Sequence, residues 1–184
     1  MARLNSVLIV LALGAFALAA GACSSPAMAP TAMSTDSIGV VSDSALFTLV
    51  TRTQPFSAYA RFPNLGTGPD GILTASSAHQ PLIRVSMNAT AAGALQNGRL
   101  PSGATFPGGS VIFKEVLIGA SANLYAIMYK DRTNPWAANG WLWAEHRPDG
   151  GVAFSITNKG NGCTSCHSLE QGPQHDFVRS FERQ

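Results

Sequence analysis

Four runs of apolar and β-branched residues follow one another late in the chain: "SVIFKEVLIG" (110–119), "ANLYAIMYKD" (122–131), "NGWLWAEHR" (139–147) and "GVAFSITN" (151–158). Pro107-Gly108-Gly109 introduces the first, a Gly-Ala-Ser connection joins it to the second, and Pro148-Asp149-Gly150-Gly151 joins the third to the fourth. Strand-like runs separated by such turn residues predict two antiparallel hairpins. Upstream, "PLIRVSM" (81–87) reads as another strand, and "ATAAGALQNG" (89–98) as a short helix stopped by Gly98. In "SDSALFTLVTR", Ser42, Asp43 or Ser44 can cap a short amphipathic helix carrying Leu46, Leu49 and Val50. The expected class is α+β: a predominantly antiparallel β-sheet with a few short peripheral helices, in a single domain over residues 43–184. A chain of 184 residues leaves little room for a second one.

The first 22 residues are set aside from that reading. Arg3 near the start, then "VLIVLALGAFALAA", then small residues give the layout of a secretory signal peptide (1–22). Cys23 directly follows Ala20-Gly21-Ala22, which resembles a bacterial lipobox, although Ala20 stands where a leucine is usual. Lipidation of Cys23 is the expectation, with cleavage near Ala22 and an incidental cysteine as the alternative. An acyl anchor attaches a protein to a membrane without spanning it. No other segment approaches the ~20 apolar residues that a spanning helix needs. Residues 23–42, rich in Ser, Ala, Pro and Thr, read as a lipidated, flexible tether. The expected location is therefore the periplasmic side, anchored by lipid to the outer membrane, or else soluble in the periplasm. Losing Arg3 takes the net charge from +2 to +1, and no block of Lys and Arg marks a nucleic-acid partner.

Chemistry concentrates in "GNGCTSCHS" (160–168). Two thiols at C-x-x-C spacing can add across the vinyl groups of a haem, and the adjoining His167 can turn its imidazole to the iron. A thioredoxin-type redox pair would want the motif to open a helix after a strand of a βαβ unit. A zinc site would want two more ligands, of which only His175 is near in sequence. A plain disulfide is the remaining alternative. The immediate His167 and the export signal favour a covalent haem c with one iron, held by Cys163 and Cys166 with His167 as metal ligand.

The iron's other side has several candidates: His79, His146, His175, Met87 and Met128. No methionine follows the motif, which speaks against a small helical electron-transfer cytochrome and for an open iron site. Lys114 is the second unusual residue. Period-two alternation puts it on one face with Ile112, Val116 and Ile118, where a lysine is costly unless it reaches water, pairs or does chemistry. Lys130, beside Asp131 at a strand end, reads as solvated. Arg84, between Ile83 and Val85, is either an exposed strand charge or a donor to a haem propionate or an iron-bound ligand. Trp141 and Trp143 share a strand face that also carries Glu145, while Trp136 precedes them.

Taken in order, "LPSGATFPGGSVIFKE", "YAIMYKDRTNPWAANGWLWAEH" and "GCTSCHSLEQGPQHDFV" resemble the cytochrome P-460 family and its cytochrome c′-beta relatives. The likeness spans roughly residues 43–181 and includes a V-x-x-K-E strand, a late C-x-x-C-H and the pair Asp176-Phe177. It implies a largely antiparallel β protein, commonly a homodimer, with one c-type haem and an open distal site. It implies too that Lys114 is crosslinked to the porphyrin, and that Arg84 stands near the haem; these two are the expected catalytic residues. The implied activity is redox chemistry on a small nitrogen compound, hydroxylamine oxidation, feeding a periplasmic electron acceptor. The alternative is non-catalytic nitric-oxide binding or electron transfer. A proton acceptor above the iron separates them, because oxidising a bound amine needs one. Glu145 and Glu115 are the carboxylate candidates, with Glu115 pointing away from Lys114. Phe47, Phe56, Phe106 and Phe113 are the aromatic candidates for an apolar gas pocket.

Overall fold

Alternation along the strands builds one antiparallel sheet with two buried faces. The computed structural model describes residues 39–40, 42–62, 72–74, 78–169 and 171–183. The expected signal peptide, Cys23 and nearly all of the expected tether lie outside them. Among the described residues the sheet has seven strands: β1 (Ala60–Arg61), β2 (Ile72–Thr74), β3 (Leu82–Met87), β4 (Val111–Ile118), β5 (Ser121–Lys130), β6 (Trp141–His146) and β7 (Val152–Phe154). Their order is β1-β3-β4-β5-β6-β7, and β2 pairs with the other end of β3. The two expected hairpins are β4–β5 and β6–β7. The fold is α+β and predominantly antiparallel, with three short α-helices among the described residues: α1 (Asp43–Thr48), α2 (Ala89–Ala92) and α3 (Cys163–His167). Among the described residues no helix is long and apolar enough to cross a membrane.

One face of the sheet packs Phe113, Ile127, Leu142 and Ala144 against Leu46 and Val50 of the first helical segment. Ser42 caps α1 by accepting from the Ala45 amide, and Asp43 ties the segment down by accepting from Ser155 Oγ and the Ile156 amide. Val40 is already 1% exposed, so packing begins three residues before Asp43. The other face packs Ile112, Met128 and Trp141 against Phe106, Val178 and Phe181, which come from the β3–β4 connection and the C-terminal segment. Each fully buried side chain of this size contributes roughly 1.5–3 kcal/mol over leaving it in water.

Two expectations need correction. The helix expected over 89–98 ends at Ala92. Asn97 and Gly98 both adopt positive φ, 52° and 78°, and the Gln96 and Arg99 backbones exchange hydrogen bonds around them. Asn-Gly is the dipeptide that a tight two-residue turn favours, and that preference overrides helix continuation here. Lys130 is not solvated: at 1% exposure it is buried, with Nζ 2.7 Å from Asp176 Oδ1 and 4.6 Å above the Trp141 ring. Alternation carries it onto the inner face with Met128, where the C-terminal segment covers the strand end.

Candidate cofactor site

The C-x-x-C-H motif forms a single helical turn. Gly160 and Gly162 precede it in the left-handed region, φ 63° and 87°, and Gly162 is the N-cap of α3. Residues three and four apart on a helix share a face. Cys163, Cys166 and His167 therefore all line one cavity of about 470 Å³ between the sheet and the C-terminal segment. That volume lies in the range of small-molecule and cofactor sites, about 300–1,000 Å³.

His167 is held in one tautomer. Its Nδ1 lies 2.7 Å from the Phe177 carbonyl oxygen, which can only accept, so Nδ1 carries the hydrogen and Nε2 keeps its lone pair. Burial first, and then the positive charge of Lys114, push its pKa down to about 4. At neutral pH the imidazole is uncharged, the form that ligates a metal. The Trp143 ring stands edge-on to it at 4.8 Å.

The two thiols are free. Burial, followed by the nearby Glu145 carboxylate, pushes Cys163 up to about 11. A thioredoxin-type pair works through a thiol whose pKa is lowered, so this environment is wrong for that alternative. Cys166 Sγ accepts from Arg179 Nη1 at 2.9 Å. His175, the nearby zinc-ligand candidate, is buried against the Phe181 ring instead.

The same cavity is lined by a row of three titratable side chains from three segments. Lys114 Nζ, on β4, lies 3.3 Å from His79 Nδ1, and His79 Nε2 lies 2.7 Å from Glu145 Oε1 on β6. Alternation puts Glu145 on the same face as Trp143, and both line the cavity. His79 has φ 67°, a conformation that residues with a Cβ adopt at a cost and that clusters at functional sites. In the sequence His79 was one histidine among four; its tie to a glutamate 66 residues away carries no local signal.

Arg84 does not join this site. The β3–β4 register sets Val85 opposite Lys114 and Arg84 opposite Glu115. Arg84 therefore points to the other face, where Nη1 lies 3.1 Å from Glu115 Oε2. That register sets Arg84 apart from the cavity that Lys114 and Val85 line. Glu115 points away from Lys114, as alternation predicts. Of the remaining iron-ligand candidates, Met128 lines the cavity, Met87 is in the core, and His146 is buried against Phe47. The expected aromatic candidates lie elsewhere: Phe56 stacks on Phe113 at 4.4 Å, and Phe106 meets the Trp141 edge. Trp143 and Phe154 supply the cavity's aromatic surface.

The chain matches no family model and no curated protein. The donor set itself fits a c-type haem: two free thiols and a neutral imidazole on one helical turn line a cavity shared with the apolar side chains of Val85, Ile112, Met128 and Trp143.

Proposed function

We propose that this protein is an exported monohaem c-type cytochrome of the P-460 type, acting as a hydroxylamine-oxidising haem enzyme. The observation that carries the reading is the convergence of Cys163, Cys166 and His167 on one cavity that Lys114, His79 and Glu145 also line. Cys163 and Cys166 would hold the haem by thioether bonds, and His167 would ligate the iron through Nε2. Lys114 lines the same cavity, and the family resemblance implies that it forms a third covalent link to the ring. When bound, the haem supplies an iron that accepts electrons from the substrate nitrogen and passes them to a periplasmic acceptor.

The chain's own groups handle the rest. Oxidising a nitrogen hydride releases protons, and Glu145 offers a carboxylate to take them. His79 holds Glu145 through the 2.7 Å contact, so the acceptor stays oriented without substrate. Val85, Ile112 and Met128 line the cavity and limit water there. The same apolar wall favours a second reading, a non-catalytic nitric-oxide-binding or electron-transfer protein; the carboxylate–imidazole pair favours the enzyme. Lipidation of Cys23 would hold the domain at the outer membrane, with a homodimer as the implied assembly.

The test is expression of the full chain with a haem-attachment system, followed by mass measurement after denaturation. The expected mass includes one haem, lost when Cys163 and Cys166 are both replaced by Ser. A parent mass without haem overturns the proposal. With haem present, hydroxylamine turnover supports the enzyme, and tight nitric-oxide binding without turnover supports the second reading.

A further inference from the structure

We infer that the buried Lys130–Asp176 pair is a positioning device for His167, holding the turn that delivers the Phe177 carbonyl to its Nδ1. The part that concerns iron rests on the haem reading above; the part that concerns the imidazole does not.

Asp176 and Phe177 are consecutive residues with φ 52° and 66°. Side chains with a Cβ are disfavoured there, and two in succession persist only where their surroundings over-determine the backbone. The surroundings do so. Asp176 Oδ1 accepts from Lys130 Nζ at 2.7 Å, and Oδ2 accepts from the Phe106 amide at 2.8 Å. The Asp176 carbonyl accepts from Trp141 Nε1 at 2.8 Å, and the Phe177 amide donates to the Gly172 carbonyl. The Phe177 carbonyl, the next one along, then accepts from His167 Nδ1.

The anchors come from three directions: the end of β5, the start of β6 and the β3–β4 connection. Lys130 and Asp176 are 1% and 4% exposed, and neither lines the cavity. A buried ion pair adds little net stability over apolar side chains of the same volume. Its specific effect here is directional. A charged carboxylate gripped at both oxygens leaves one orientation for the turn, and that orientation aims one carbonyl at one ring nitrogen. A firm acceptor at Nδ1 makes the imidazole a stronger donor at Nε2. The pair therefore acts on the iron through Phe177 and His167 without touching either the iron or a substrate.

The variants are Asp176→Asn, which keeps the shape and an acceptor but removes the charge, and Lys130→Met/Asp176→Asn, which leaves no unpaired ammonium. In the haem-loaded full chain, both variants should move the ferrous iron–histidine stretching band to lower frequency and raise the reduction potential. A merely structural role would change melting temperature and leave both readouts where they are. If Asp176→Asn fails to fold, the double variant carries the test. Folded variants with an unshifted band and potential overturn the inference. Should the full chain carry no haem, the haem reading fails and the Nδ1 proton of His167 is followed by ¹⁵N–¹H NMR instead. Its exchange with water should be about tenfold faster or more in the double variant. Unchanged exchange overturns the inference.

Discussion

The indole of Trp143 stands edge-on to the imidazole of His167, with ring centroids 4.8 Å apart at an interplanar angle of 76°. The same indole lies against Gly160, two residues before the α3 cap. One side chain of β6 thus braces both the entry to the C-x-x-C-H turn and the histidine at its end.

Gly160→Ala should disturb both contacts. Gly160 has φ 63°, and an added Cβ would come within 2.6 Å of the Trp143 ring. Strained backbone and overpacking each cost roughly 1–3 kcal/mol, so a loss of about 2 kcal/mol or more is expected. Urea unfolding measures it, read beside the fraction of chains that carry haem. An unchanged midpoint would mean that Trp143 is free to swing away, and would remove it as a brace.

Lys114→Ala tests the proposed third link to the ring. Cys163 and Cys166 should still retain haem after denaturation, while the ferrous absorption shifts to that of an ordinary c-type cytochrome. Identical parent and variant spectra would exclude Lys114 from bonding to the ring.

Glu145→Gln keeps a partner for His79 but removes the carboxylate. If Glu145 takes the substrate proton, kcat for hydroxylamine should fall by about 10²-fold or more, the usual range for losing a general base. KM should change far less, because the group acts in the chemical step. Steady-state kinetics check this split; an unaltered kcat assigns the proton to another group.

His146 sets a pH dependence of stability separate from the cavity. It is fully buried against Phe47, and burial lowers its pKa from the ordinary 6.5. The folded state keeps the ring neutral, while the unfolded chain protonates near 6.5. Below that pH the unfolded state binds more protons, so stability is full above 6.5 and falls as pH drops toward the lowered value. The acid-side slope of the urea midpoint should be shallower in His146→Phe, which keeps the packing. Equal slopes would place the acid sensitivity in other groups.

Much of the sheet was legible because its signals are local. Turn residues marked both late hairpins, and period-two alternation separated Lys114 from Glu115 and joined Glu145 to Trp143. The C-x-x-C-H spacing marked Cys163, Cys166 and His167 as a group, and the α3 turn that puts them on one face was seen only in the structure. The boundaries of β4 and β5, Val111–Ile118 and Ser121–Lys130, fall within a residue of the apolar runs.

Other features depended on which distant segment meets which. Alternation sorts the residues of one strand into two faces but does not say how neighbouring strands are registered. Arg84 fell opposite Glu115 because β3 pairs with β4 one residue away from the alignment that would have set it beside Lys114. Lys130 looked like a strand-end charge until the C-terminal segment, 46 residues on, brought Asp176 over it. His79 acquired its place only when the segment before β3 reached Glu145 on β6. The strands, their two faces and the C-x-x-C-H grouping were readable along the chain, because these rest on near neighbours. Which charges share a cavity and which are buried as a pair came only from the folded chain, because such contacts join groups that no local pattern links.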